Sequence, residues 1–268
     1  MPNARTSFLS DIYSVWWRET IRFIRARSRL ITSLIQPMAW LIIFGIGFSS
    51  SLGSSLQFAR STGTTNYLAF LVPGVLGMVA LFTNMSLSSG MSFMFDKEFG
   101  FLKEILVAPV SRSSILLGKA LGGTTTAITQ GLIVLVVAAV LGVRISGSLG
   151  LPAALALIVV TMFFIGMGFG ELGVSIASRL ESIEGLQVVM IFLVLPIFFL
   201  SGALFPVTTL PAWMKALADI NPLTYAVDSL RYAVTGLHTY PLTLDLAVVV
   251  AFFVLITIIG SLLFRDVH

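Results

Sequence analysis

Leu246-Ala247-Val248-Val249-Val250-Ala251-Phe252-Phe253-Val254-Leu255-Ile256-Thr257-Ile258-Ile259-Gly260-Ser261-Leu262-Leu263-Phe264 is a run of nineteen residues without one charged side chain. A helix buried in a soluble core needs only 10–14 apolar residues, whereas about 20 cross the hydrocarbon of a bilayer. This run therefore reads as a membrane span. The whole chain agrees: of its 268 residues 57% are hydrophobic and 10% charged, against about 25% charged in a soluble domain. Lipid is the natural solvent for such a chain.

Working outward from that run, five more stretches of similar character appear. The spans are expected at Ile31–Ser49, Tyr67–Met94, Ser114–Leu141, Leu151–Ser178, Leu186–Leu204 and Leu246–Phe264. The second is longer than a bilayer requires and is expected to tilt, or to bend near Pro73-Gly74. No repeat or low-complexity linker divides the chain, so residues 1–268 read as a single membrane domain.

The basic residues test this register. With the N-terminus inside, inner segments hold Arg5, Arg18, Arg22, Arg25, Arg27, Arg29, Lys97, Lys103, Arg112, Lys119, Arg179 and Arg265. Outer segments hold only Arg60, Arg144, Lys215 and Arg231. Twelve against four satisfies the positive-inside rule for six spans with both termini inside. The net charge of +4 therefore reports topology, and no soluble basic domain is present to bind nucleic acid. The arginine-rich first thirty residues lack the apolar core of a cleavable leader. Over residues 8–28, Phe8, Ile12, Val15, Trp16 and Phe23 recur at helical spacing among charges, as expected of an amphipathic helix at the lipid headgroups.

Two connecting segments stand out. Between spans 2 and 3, within residues 95–112, runs Asp96-Lys97-Glu98-Phe99-Gly100-Phe101-Leu102-Lys103-Glu104-Ile105-Leu106-Val107-Ala108-Pro109. Leu102, Ile105 and Leu106 share one helix face, and Pro109 stops the helix just before it. The pattern suits a short amphipathic helix docking into a partner's groove, and equally a solvated connection between two spans. Between spans 5 and 6, in residues 204–240, Pro211 opens one short helix and Asn221 can cap a second, with Pro222 in its first turn. Asp228 and Arg231, three apart, can pair on one face. Two helices too apolar for a free loop and too short to span read as a re-entrant hairpin packed against protein.

Glu171 is the acidic residue expected inside a span, where a carboxylate is a functional candidate by default. It reads equally as a structural hydrogen-bonding group and as a coupling or substrate-path residue. Gly166, Gly168 and Gly170 follow no strand, so they indicate helix packing and not dinucleotide binding. Cysteine is absent and the two histidines, His238 and His268, are far apart. No joint metal site, phosphate-binding loop or nucleophile–base pair is recognisable, and no catalytic residue is expected on this chain.

With these residues in hand, the chain resembles the membrane subunits (permeases) of type-2 ABC exporters, closest to the daunorubicin-resistance and nodulation-factor export permeases. The resemblance rests on Glu98-Phe99-Gly100-Phe101-Leu102-Lys103-Glu104-Ile105-Leu106-Val107-Ala108-Pro109, and on Leu200-Ser201-Gly202-Ala203-Leu204-Phe205-Pro206, Leu210-Pro211, Asn221-Pro222-Leu223-Thr224-Tyr225, Asp228 and Arg231. It implies an all-α integral membrane fold: six transmembrane helices, an N-terminal interfacial amphipathic helix and a re-entrant hairpin between spans 5 and 6. It implies two copies of this chain in the cell membrane, each binding a separate ABC ATPase subunit that carries ATP and Mg. Glu98, Phe99, Gly100, Leu102, Lys103, Glu104, Ile105, Leu106 and Pro109 would form the coupling helix. Gly202, Pro206, Pro211, Asn221, Pro222, Tyr225, Asp228 and Arg231 would close the outer end. An amphipathic drug, a lipid or a lipid-linked glycan would be the cargo. An ion-coupled secondary transporter is the alternative; it would need internal repeats and several buried charges, and only Glu171 is apparent.

Overall fold

A computed structural model describes residues 8–49, 59–60, 62–64, 66–101, 111–145 and 149–263, with side-chain surroundings at all of these except 27–30, 49 and 87. Among them there are helices and no strands. In chain order the helices are α1 (Phe8–Arg25), α2 (Arg27–Ser49), α3 (Tyr67–Phe82), α4 (Ser89–Glu98), α5 (Arg112–Val140), α6 (Leu151–Arg179), α7 (Ile183–Phe199), α8 (Ala212–Ile220), α9 (Pro222–Thr235) and α10 (Leu242–Leu263).

Local chemistry sets the starts of these helices. The side chains of Asn66, Ser111, Ser182 and Asn221 each accept a hydrogen bond from a backbone N–H in the first turn of α3, α5, α7 and α9, taking up donors that a helix start leaves orphaned. Pro152 and Pro222 sit in the first turns of α6 and α9, where a missing N–H costs nothing.

The bundle is built around α3. Nearly every residue from Tyr67 to Leu81 is buried, and α3 packs against α2, α5, α6 and α9. In contrast, α2 and α10 turn continuous apolar faces outward, including Ile35, Ile42, Ile43 and Ile46 on α2 and Val254, Leu255, Ile258, Ile259 and Leu262 on α10. Water does not tolerate apolar faces of this extent; hydrocarbon does. Among the described residues five helices are long and apolar enough to cross a membrane: Ile31–Phe48, Tyr67–Glu98, Arg112–Val140, Leu151–Arg179 and Leu242–Leu263. The apolar α7 is shorter, at 17 residues.

The second apolar stretch departs from expectation. Pro73 lies inside α3 without ending it. The irregularity comes lower down, where Thr83–Ser88 form a π-helical turn and the Ser89 N–H bonds the Asn84 carbonyl five residues back. Asn84 lies within this turn. Its Nδ2 donates to the Ala80 carbonyl at 2.9 Å, competing for the carbonyl that its own backbone N–H would take in an α-helix.

Gly74 is where α3 meets the segment after α7. A Cβ there would overlap the backbone of Ala203, and backbone cannot yield as a side-chain tip does. Gly74→Ala should cost about 1–3 kcal/mol of stability by overpacking. A thermal midpoint in detergent unchanged from the parent would refute this contact.

Candidate functional site

The chemistry collects where α1 crosses the first half of α5. Gly118 and Gly122, one turn apart, face α1. A Cβ at Gly118 would lie 2.6 Å from Val15 Cβ, and one at Gly122 would lie 2.6 Å from Glu19 Cβ. Small residues at this spacing let two helices approach closely. Trp16 Nε1 adds a hydrogen bond to Thr125 Oγ1 at 2.9 Å.

That approach brings a lysine and two carboxylates together. Lys119, between the two glycines, is fully buried. Its Nζ lies 3.1 Å from Glu19 Oε1 on α1 and 2.6 Å from Asp96 Oδ2 on α4, and it donates to Ser92 Oγ at 3.0 Å. Three partners match the three donors of an ammonium. Ser92 Oγ in turn donates to Glu19 Oε2 at 2.8 Å. Arg18 caps the group from the surface, bonding Asp96 and Glu19, while Arg22 lies 3.5 Å from Asp96 Oδ1. Two carboxylates thus meet three cations, one of them dry. Burial alone would raise the Glu19 carboxyl. Lys119, the Ser92 hydroxyl and Arg18 outweigh it and hold the group down to about 2.

The position of this knot matters more than its strength. Asp96 lies two residues before the end of α4, and Lys119 lies in the second turn of α5. Between them runs the loop expected to dock a partner. Lys97 Nζ donates to the Leu180 carbonyl at 2.7 Å, tying the same end of α4 to the α6–α7 turn. Glu98 ends α4, Phe99 and Phe101 are exposed, and Gly100 has a φ of 79°. Leu102, Lys103, Glu104, Ile105, Leu106 and Pro109 lie outside the described residues.

At the opposite end of the bundle the second group of expected residues comes together. Asn221 caps α9 through its Oδ1 and donates from Nδ2 to the Ile197 carbonyl at 2.7 Å. Buried Arg231 donates to the Gly202 carbonyl at 2.9 Å and stacks over the Phe70 ring at 4.2 Å. Asp228 Oδ1 lies 3.7 Å from Arg231 Nη1, and its Oδ2 accepts from the backbone N–H groups of Thr239 and Tyr240 at 2.7 and 2.8 Å. Tyr225 OH bonds the Asp219 carbonyl at 2.7 Å. Pro206 precedes a short 3₁₀ turn and Pro211 precedes α8. So α9 is held against α3, α6 and α10, while α8 lies outside it with Trp213, Leu217 and Ile220 exposed.

Glu171 is fully buried in α6. Its Oε2 accepts from Thr257 of α10 at 2.7 Å, and its Oε1 has no hydrogen-bond partner among the described residues. It is not the lone buried ionisable group that the sequence suggests. Lys119, Asp96, Glu19 and, at the start of α10, Asp245 are buried as well. Lys119 falls near the inner end of the third expected span and reads from sequence only as a topology marker. The signal that could have found it is the pair of glycines flanking it, Gly118 and Gly122.

This arrangement now meets its relatives. The model of the family described as "ABC-2 type transporter" matches residues 10–235, from α1 to the end of α9. The chain belongs to this family. It is 32% identical over 228 residues to the transport permease ycf38 of Cyanophora paradoxa, covering 84% of this chain and 74% of the relative. It is 27% identical over 246 residues to the inner membrane transport permease YadH of Escherichia coli strain K12, covering 90% and 89%. The daunorubicin resistance ABC transporter permease protein DrrB1 of Streptomyces coeruleorubidus is 26% identical over 234 residues, covering 87% and 78%. With its apolar helices, this ABC-2 permease is a multi-pass membrane protein.

Removing one member of the knot leaves buried charge uncompensated. Lys119→Met should destabilise the permease by about 3–5 kcal/mol, and replacing Glu19, Asp96 and Lys119 together by neutral residues should recover most of the loss. Thermal denaturation in detergent checks both. Glu19 also fixes a pH dependence. Its folded value is depressed, so its contribution is complete above the ordinary 4.5 and drains away as pH falls toward about 2. Melting curves between pH 6 and pH 3 should fall with acid, and Glu19→Gln should flatten the slope.

Proposed function

We propose that this chain is the membrane-spanning subunit of an ATP-driven ABC exporter. The observation that carries the reading is the pinning of both flanks of the 99–111 loop to α1 through Lys119, Asp96 and Glu19 in a chain of the ABC-2 family. A loop that only joined two spans would not need its roots clamped by a buried ion cluster, which is costly to assemble. A loop that is pushed and pulled by a partner would.

In this reading residues 1–268 form one transmembrane domain with six spans, α7 being the fifth. Helix α1 lies in the inner interface, and both termini are cytoplasmic. The segment 95–112 carries the coupling helix, with Glu98, Phe99, Gly100, Leu102, Lys103, Glu104, Ile105, Leu106 and Pro109 seating on a separate ABC ATPase. Two copies of the chain and two ATPases make the working unit in the cell membrane, and ATP and Mg sit on the partner. Closure of the ATPases moves the coupling helices and, through the knot, α1, α4 and α5 together. The re-entrant pair α8–α9 of segment 204–240, held by Gly202 just before it and by Asn221, Asp228 and Arg231 within it, closes the outer end. Glu171 couples α6 to α10 between the two ends. The cargo is an amphipathic drug, a lipid or a lipid-linked glycan, a class that the name of DrrB1 illustrates.

The test is reconstitution of the chain in lipid with its candidate ATPase, followed by ATP hydrolysis with and without the permease. A complex whose hydrolysis depends on the permease is expected. Leu102→Asp with Ile105→Asp should weaken docking by about tenfold or more, as loss of apolar anchors does at interfaces. Hydrolysis and association indifferent to both substitutions would defeat the docking reading.

A further inference from the structure

At the outer end, where α9 meets the start of α10, the buried polar groups do not satisfy one another. Eight buried side-chain atoms have no hydrogen-bond partner among the described residues, and five of them belong to Thr224, Asp228, Arg231 and Asp245. Buried polar groups are normally paired, so a gathering of unpaired ones asks for a specific cause. All but the Arg231 Nε are oxygens.

Asp245 stands at the centre of this group. It lies in the first turn of α10 and is fully buried. Both of its carboxylate oxygens lack a partner, so it caps no N–H of its own helix. The charge that acts on it is that of Asp228, which repels it. Asp228 is only half satisfied. Its Oδ2 takes two backbone N–H groups, whereas its Oδ1 has Arg231 at 3.7 Å and no hydrogen bond. Thr224 lies one turn before Asp228 on the same face of α9, and its buried hydroxyl is unpartnered as well.

The neighbours that could donate to Asp245, or neutralise it, are engaged elsewhere. Tyr225 is within reach of its charge, but Tyr225 and Tyr240, with ring centroids 5.2 Å apart, both turn their hydroxyls to Asp219. Arg231 donates to the Gly202 carbonyl and lies over Phe70. Exposed Lys215 is 3.8 Å from Asp219, and the Nδ1 of exposed His238 is 2.8 Å from the Tyr240 carbonyl. Two buried carboxylates thus share one guanidinium, an excess of one negative charge. A buried charge without compensation is strongly destabilising.

The donor set indicates what restores the balance. Carboxylate and hydroxyl oxygens suit hard cations. Among the described residues no three acids or histidines gather to hold a metal, and a divalent ion would overshoot the charge. One missing positive charge and oxygen ligands alone fit a monovalent metal ion.

We infer that Asp245, Asp228 and Thr224 hold a monovalent metal cation, sodium or potassium, that joins α9 to α10. The ion is a resident of the outer end and not cargo, so the inference goes beyond the exporter reading and needs no ATPase. With the ion in place, the re-entrant helix and the last span share a joint of balanced charge. Without it, Asp228 and Asp245 push the two helices apart.

The test uses the full chain in phosphatidylcholine nanodiscs, without ATPase, and radioactive sodium as the probe. Saturable retention of the tracer is expected, displaced by unlabelled sodium and not by N-methylglucamine. Asp245→Asn should lower retention about tenfold or more, as loss of one partner from a buried charge pair does. The parent should melt at a higher temperature in sodium chloride than in N-methylglucamine chloride of equal ionic strength, because a ligand of the folded state stabilises it. Asp245→Asn should melt alike in both salts. Potassium chloride that displaces the tracer at lower concentration than sodium chloride would make potassium the resident ion; the opposite order would assign sodium. The parent's own tracer retention and melting keep the test decisive if Asp245→Asn misfolds. No saturable retention, with equal midpoints in the two salts, would overturn the inference. So would a midpoint that moves with pH but not with sodium or potassium, which would place a shared proton between the two carboxylates. Either result would leave the docking test of the exporter reading untouched.

Discussion

Lys119 cannot reach water. Its ammonium is enclosed by α1, α4 and α5, so those three helices must be assembled for its three donors to be met. Everything at that end of the molecule follows from this constraint. Helix α1 is not a loose tail, because its Glu19 is half of the counter-charge. Helix α4 cannot end early, because its Asp96 is the other half. The close approach at Gly118 and Gly122 exists to let the acid and the base meet. An apolar cluster would hold three helices together, but it would allow them to slide. A lysine with three directed partners fixes their register.

The other end is held by different chemistry. There the backbone is the principal partner: Arg231 to the Gly202 carbonyl, Asn221 to the Ile197 carbonyl, and Asp228 to two backbone N–H groups. These bonds satisfy chain segments that no helix can satisfy, a condition for irregular backbone among apolar helices. One end is therefore organised by side chains from distant parts of the sequence, and the other by side chains reading nearby turns.

That contrast explains what the sequence disclosed. The apolar stretches were legible because lipid demands length and composition, both local properties. The α8–α9 pair was legible too, because Pro211, Asn221 and Pro222 announce helix starts within a few residues. The pairing of Lys119 with Glu19 was not, since one hundred positions separate them and a lysine near the inner end of a span reads equally as topology. Glu171 was visible as a buried acid, yet its partner Thr257 lies on a helix that packs beside it only in the folded bundle. The π turn left no periodic trace, because one additional residue hides within the scatter of an apolar pattern. Nor does any pattern of hydrophobicity encode the Asn84 amide reaching back to the Ala80 carbonyl.

That additional residue has a mechanical meaning. Each residue of an α-helix accounts for about 100° of rotation and 1.5 Å of rise. A helix that stores one residue in a wide turn holds a latent screw motion. Releasing it while α3 stayed fixed in the core would turn α4 about its own axis by nearly a third of a revolution and carry Ser92 and Asp96 off Lys119. The wide turn thus sets the lower half of this long helix at a rotation of its own, the one at which Ser92 and Asp96 meet Lys119.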